Sequence, residues 1–520
     1  MRASPLASSP PRSSPAADRP PPGATGSVAG VKRTGIVRAT ALVAALAVAA
    51  AFAPSPVSPV SAACTLCAGG EYHPVSPTRI FDTRSADLNG GAGPVNDVAP
   101  AGAKPIGPTS PSFDIDLFGL ATGGFQHSWL PDGTAADDVL AVVAGITVQA
   151  PTSDGYVSVH PPGAPPAVTS AVVNYRTGRT VSGLAILRPG ADGLLTVHLF
   201  GVAAGSAHVY VDVFGWLSTS TYDAGTPADE NDERGARLIP VDPVRILDTR
   251  NDADPDTPLG EAETRALTVR GATKVGDSSV VAVPDDPNVV GVLANLTVVN
   301  PTGLSAGQYG AVSVLPEAPV GAPATANAVT AVGPFVKGTL VMVPVGADGK
   351  VHLYNSLGST NVVVDVMGYL LDGQPEATRN GRVVPLAAPF RVFDTRQVAF
   401  GAVALGQAQS EDWSFAAFSG SVKIGGVAVG NQMGLLGNLT QATLSRVAPA
   451  VSVSPGYLTM FPAPASAGPP PLIANLNTME GMPVGNLALV KYGASQVVRV
   501  YNARGYAHYV LDVNAVVLAD

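Results

Sequence analysis

Residues 361–370 read NVVVDVMGYL. An extended chain points successive side chains to opposite faces. Val362, Val364 and Val366 therefore share one face, and Val363, Asp365 and Met367 share the other. The first face is core. The second is apolar too, apart from its one carboxylate. A carboxylate among apolar neighbours is costly unless a cation or donors meet it. This strand therefore asks for a partner elsewhere in the chain.

The same strand occurs twice more, as HVYVDVFGWL (208–217) and HYVLDVNAVVL (508–518). A second motif precedes each copy: RIFDTR (79–84), RILDTR (245–250) and RVFDTR (391–396). The two aspartates of a copy lie 130 (82 to 212), 117 (248 to 365) and 118 (394 to 512) residues apart. Matched pieces fill the space between, among them GYVSVHP (155–161), GAVSVLP (310–316) and GYLTMFP (456–462). The chain is thus a threefold repeat. The expected organisation is repeat 1 over 64–222, a polar linker 223–237, repeat 2 over 238–371, a second linker 372–382 and repeat 3 over 383–520.

Composition sets the fold class. Charged residues are only 13%, Gly (57) and Pro (48) are high, and Val, Thr and Ala are plentiful. That balance favours short strands joined by turns over helices. Repeat 2 alone carries about eight strand signals, and GADG pieces (190–193, 346–349) read as hairpin turns. The expectation is an all-β protein of three tandem β-sandwich, jelly-roll-like domains of about eight strands each. The alternative is one six-bladed β-propeller, against which the polar linkers speak.

The first 63 residues read as leader rather than fold. A basic start, the uncharged run Ala39–Ala53 and a small-residue end form a secretory signal pattern, too short for a membrane span. Export is therefore expected, with no membrane span in the mature protein. Cys64 and Cys67 are the only cysteines. No helix-forming segment follows to lower a thiol pKa, so a local disulfide is expected rather than a redox pair. The net charge of −9 includes no basic patch, which excludes nucleic acid as an expected partner.

The opening motifs supply the missing partner. Each carries two arginines and an aspartate: Arg79, Asp82 and Arg84; Arg245, Asp248 and Arg250; Arg391, Asp394 and Arg396. The expectation is that first and last strands of a repeat lie side by side, and that an Arg grips Asp212, Asp365 or Asp512. A guanidinium holds a carboxylate through two parallel hydrogen bonds. The Thr of DTR is expected to cap a local turn. The competing reading of the same residues is a glycosidase-like carboxylate pair such as Asp82 with Asp212. One chain rarely needs three identical active sites, which favours structural ion pairs.

Other constellations are weaker. Asp252, Asp254, Asp256 and Glu263 fall at calcium-loop positions, but Thr257 stands where that loop needs Gly, so a solvated acidic loop is expected. The two NLT sequons (295–297, 438–440) lie in strand patterns and read as sheet. No HExxH, GxSxG, phosphate loop or zinc-spaced Cys–His cluster occurs, so no cofactor is implied.

The combination RIFDTR … GYVSVHP … GADG … VYVDVFGWL resembles a repeat of secreted actinobacterial proteins. That repeat opens on an RLLDTR-like motif and closes on VDVxGY. The resemblance spans residues 72–520 in three copies and departs at Asn514–Ala515. It implies export and a cell-envelope or extracellular setting. The expected function is a non-enzymatic module array for adhesion, surface structure or contact with cell-wall glycan or another surface protein. The alternative is a secreted glycan-active hydrolase using aspartates of one repeat.

Overall fold

The computed structural model describes residues 68–85, 104–118, 129–131, 134–163, 170–190, 193–201, 205–222, 234–250, 257–305, 308–323, 328–331, 336–424, 427–445, 456–464, 468–481 and 483–520. Val- and Thr-rich segments form strands throughout, as the composition requires. Repeat 1 contains β1 (Tyr72–Asp82), β2 (Ser112–Asp116), β3 (Val139–Gln149), β4 (Gly155–His160), β5 (Val173–Tyr175), β6 (Val181–Leu187), β7 (Leu194–Phe200) and β8 (His208–Ser218). They form two antiparallel sheets of order β1-β8-β3-β6 and β2-β7-β4-β5. Sequence neighbours alternate between the sheets, and first and last strands pair. That is the double Greek key of a jelly roll.

Repeats 2 and 3 have the same order. The inner sheet of repeat 2 runs Arg237–Asp248, Ser359–Leu371, Val289–Thr302, Val336–Pro344, and its outer sheet runs Thr264–Thr268, Lys350–Asn355, Tyr309–Leu315, Ala328–Ala331. In repeat 3 the inner sheet is Val383–Asp394, Tyr506–Leu518, Gln432–Ser445, Val484–Lys491. Its outer sheet is Gln409–Ser414, Val497–Asn502, Gly456–Pro462, Leu476–Thr478. Six four-stranded sheets match the blade count of the propeller alternative, while the strand order in each is that of a jelly roll. One six-residue helix, Ala416–Ser421, is added in repeat 3.

Each sandwich encloses its own apolar core, and a fourth core belongs to all three repeats. It is built from equivalent positions on the second face of the inner sheets: Val143, Leu293 and Leu436; Leu184, Leu340 and Leu487; Ile186, Met342 and Leu489. All nine side chains are buried. Each is worth roughly 1.5–3 kcal/mol of transfer free energy relative to exposure. This explains why the closing strand is apolar on both faces. Val362, Val364 and Val366 pack inside their own sandwich, and Met367 packs into the shared core. Gly368 belongs to the same design. A Cβ there would stand 2.7 Å from Leu489 Cδ2 of repeat 3 and 2.8 Å from the Ile239 carbonyl.

The stretches read as linkers end inside this packing. Arg237 opens a strand rather than closing a linker, and Arg382, the last residue of 372–382, is buried. The described residues of all three repeats cluster as one compact unit.

Candidate functional site: arginine–aspartate clasps at the repeat junctions

In each repeat the opening strand lies beside the closing strand, with Arg79 opposite Asp212, Arg245 opposite Asp365 and Arg391 opposite Asp512. Arg79 Nε and Nη2 donate to the two oxygens of Asp212 at 2.8 and 3.1 Å. Arg245 holds Asp365 at 2.8 and 3.2 Å, and Arg391 holds Asp512 at 2.8 and 2.9 Å. The remaining Nη1 reaches the motif's own aspartate: Asp82 at 3.3 Å, Asp248 at 2.9 Å and Asp394 at 3.7 Å.

A local irregularity makes this possible. Arg and Asp three apart in a strand face opposite sides. The pairing shifts register between Arg79 and Phe81, between Arg245 and Leu247, and between Arg391 and Phe393. The extra residue in each case (Ile80, Ile246, Val392) is a β-bulge. It brings the Asp back to the side of the Arg.

The second arginine folds over the same aspartate. Arg84 Nε and Nη2 meet Asp82 at 2.9 and 2.6 Å, Arg250 meets Asp248 at 2.7 and 2.5 Å, and Arg396 meets Asp394 at 2.8 and 2.6 Å. Each clasp is therefore an alternating row of two arginines and two aspartates. The turn after the strand is capped by the Asp, whose Oδ1 accepts the N–H of Arg84, Arg250 or Arg396. The Thr does not cap that turn. Its Oγ accepts the N–H of Val209, Val362 or Tyr509 on the closing strand. It thereby ties down the strand edge where the ladder ends.

All six aspartates are 4% exposed or less. Burial works to raise Asp248 and Asp394, but the Arg250, Arg245, Arg396 and Arg391 contacts outweigh it and hold both below the usual carboxylate range. Burial pushes Asp212 and Asp365 upward, and Arg79 and Arg245 pull them back. Every clasp carboxylate is thus buried against arginine.

The clasps lie where repeats meet. The Ala474 N–H of repeat 3 donates to Asp365 of repeat 2. Asn295, beside Asp365, donates to the Ala474 carbonyl. Asn438, beside Asp512 in repeat 3, donates to Ser170 Oγ of repeat 1 at 2.9 Å. In repeat 1 the equivalent position is Gly145, because the Phe214 ring occupies the space (2.7 Å from a Cβ there). The two sequon asparagines are thus buried and consumed. Tyrosines of the neighbouring outer sheets reach the clasps in turn. Tyr457 of repeat 3 senses Arg245, Arg391 of repeat 3 senses Tyr156 of repeat 1, and Tyr309 of repeat 2 bonds Gln149 beside Arg84. The contacts run repeat 2 to 1, 3 to 2 and 1 to 3, which closes a cycle.

Sequence reading missed one charged cluster. Glu71, Arg237 and Arg382 occupy the same repeat position, just ahead of Tyr72, Leu238 and Val383. Glu71 Oε1 accepts from Arg237 Nη2 at 2.9 Å and Arg382 Nε at 3.1 Å, with all three nearly fully buried. Arg237 Nη1 also donates to the Thr378 and Asn380 carbonyls at 3.0 and 3.1 Å. Backbone bridges join the same place, Tyr72 with Ala236 and Gly70 with Val383. The three incoming strands are thus tied by one acid and two bases. The signal was a charged residue at one aligned position, visible only if the three copies meet.

Of the remaining candidates, Cys64 and Cys67 lie outside the described residues, as do Asp252, Asp254 and Asp256. Glu263 accepts the Gly260 N–H at 2.7 Å and Arg265 Nη2 at 2.6 Å, so it caps its own turn.

No protein-family model and no curated protein matches this chain. Among solved structures it is similar to the cowpea mosaic virus top component, at 11% identity over 64% of this chain and 100% of that one, TM-score 0.16. The N-terminal CBM22-1-CBM22-2 tandem domain from Paenibacillus barcinonensis Xyn10C matches at 13% identity over 45% and 80%, TM-score 0.15. A chain of Sulfolobus Turreted Icosahedral Virus matches at 9% identity over 85% and 92%, TM-score 0.13. At such scores the likeness says nothing about function, and the fold is assigned from strand order.

Proposed function

We propose that this chain is a non-enzymatic module array, exported to the cell envelope or the extracellular space, that contacts cell-wall glycan or another surface protein. One observation carries the reading. Every aspartate of the repeated motifs is buried and bonded to arginine, so the most repeated chemistry of the chain is spent on holding strands and repeats together. A glycosidase needs two carboxyl groups flanking an open subsite, one of them free to give a proton. The signal-like leader and the repeat resemblance supply the setting. The test is to incubate the protein with peptidoglycan, arabinogalactan and chitin, measuring retention on the polymer and release of reducing ends. Retention without release is expected. Release that vanishes on an Asp→Asn change in a single repeat would overturn the reading.

A further inference from the structure

The three junctions are equivalent in backbone but not in side chains. At the end of the sixth strand, Arg188 of repeat 1 and Lys491 of repeat 3 hold the same position, each four residues past the leucine that pairs with Gly145 or Asn438. Lys491 has an acidic partner across its junction: Asp242 of repeat 2, at 2.9 Å. Asp242 precedes Pro243 and stands three residues before Arg245. The residue so placed in repeat 3 is Ala388, before Pro389 and three ahead of Arg391. Arg188 therefore faces alanine where its counterpart faces a carboxylate. Among the described residues it has no hydrogen-bond or ion-pair partner, and burial pushes its guanidinium below the ordinary value.

The space beside it is a small, mostly apolar cavity with a few polar side chains at its wall. A cavity of about 30 Å3 is lined by Arg188, His160 and Asn514 together with Ala387, Ala388 and Pro389. That is room for about two waters, enough to admit a carboxylate group while the rest of a ligand stays outside. Besides Ser170, which accepts from Asn438, its two other polar side chains replace apolar ones. His160 stands where repeats 2 and 3 have Leu315 and Phe461, and Asn514 where repeats 1 and 2 have Phe214 and Met367. His160 is only 4% exposed. Its Nδ1 lies 2.7 Å from the Pro161 carbonyl and so carries the hydrogen. The opposite atom, Nε2, is buried with no partner among the described residues, as is Asn514 Oδ1. From His160 a half-buried row of rings crosses the outer sheet: His198 (6.3 Å), then Phe200 (4.2 Å, stacked), then Tyr156 (4.7 Å, stacked).

We infer that the junction of repeats 1 and 3 is a binding site for an acidic saccharide. Its carboxylate pairs with Arg188 in the place Asp242 fills for Lys491, and a neighbouring hydroxyl donates to His160 Nε2. A guanidinium without a counter-charge selects a carboxylate. The adjacent acceptor selects a group that carries a hydroxyl beside its carboxylate, as a uronic acid does. The site narrows the glycan-contact reading above and rests on it for its biological sense, but not for its chemistry.

The test is calorimetric titration of the full exported chain with sodium glucuronate, glucose and N-acetyl-dialanine. Glucuronate should bind and glucose should not. Arg188→Gln should weaken glucuronate at least tenfold. Ala388→Asp, a change at an exposed position, should do the same by giving Arg188 an internal partner. Affinity unchanged in both variants, or a dipeptide binding as tightly as glucuronate, would overturn the site. Loss of polymer retention in the wild type would remove the general reading alone, because this site stands or falls on glucuronate binding and its response to the two variants.

Discussion

Replacing Asp365 by alanine removes one half of the middle clasp, and the size of the effect follows from its surroundings. Arg245 loses two hydrogen bonds, and the Ala474 N–H of repeat 3 loses its acceptor. Orphaning a buried charge costs roughly 3–5 kcal/mol. Arg245 keeps Asp248 at 2.9 Å and is about one-fifth exposed, which puts it at the low end of that range. An unpaired buried N–H adds about 1 kcal/mol. The total is about 4 kcal/mol. What this does to melting depends on how much of the chain unfolds together. Unfolding entropy is about 2.1 cal/mol/K per residue. If the roughly 450 residues from Tyr72 onward unfold as one body, the melting temperature falls by about 4 °C and the calorimetric peak stays single. If repeat 2 unfolds alone, about 130 residues absorb the loss. Its own peak then separates and falls by about 14 °C. Scanning calorimetry of wild type and Asp365→Ala distinguishes the two. The shared core predicts the single peak and the small shift. A separate early transition, or no shift at all, would refute the reasoning.

Three further outcomes are expected. Glu71→Gln leaves Arg237 and Arg382 buried without an anion and should cost roughly 3–5 kcal/mol, read as a lower denaturation midpoint. Suppression of that loss by an added Arg382→Met would show that the uncompensated charge was the cause. His73, stacked on Trp216 at 4.3 Å, has its pKa pushed by burial from 6.5 down to about 4. Its contribution is full above pH 6.5 and is lost as pH falls toward 4, by roughly 3 kcal/mol at most. His73→Phe should flatten the stability profile in that window alone. Asp248 and Asp394 have depressed pKa values, so the stability they give is present above the usual carboxylate pKa and is lost as pH falls below it. Asp248→Asn should shrink the loss below about pH 4 and leave the His73 window unchanged.

Much of this architecture is legible in the residues. Period-two patterns and three copies give the strands and the repeats. A carboxylate inside an apolar strand announces that a cation must meet it, and RIFDTR and its copies supply arginines. What was not legible has physical causes. A strand apolar on both faces looks the same whether a sheet of its own domain or a neighbouring repeat covers the second face, so Leu340, Met342 and Leu489 give no sign of a shared core. The Arg-x-x-Asp spacing is odd, and only a bulge reconciles it with one common face. Glu71, Arg237 and Arg382 each read as ordinary charges beside polar stretches. Their meeting depends on ring closure, which no local pattern encodes. The Ala388 position likewise means nothing until Asp242 is seen holding Lys491.

The central claim is that the three jelly rolls are one body, each needing its neighbours to cover its inner sheet. Repeat 2 produced by itself, residues 238–371, tests this most directly. It would expose Leu293, Leu340, Met342, Met367 and Leu370, all buried in the full chain. Sedimentation and a thermal melt of that fragment should show self-association or no cooperative transition. A monomer that melts cooperatively at the temperature of the whole protein would contradict the account.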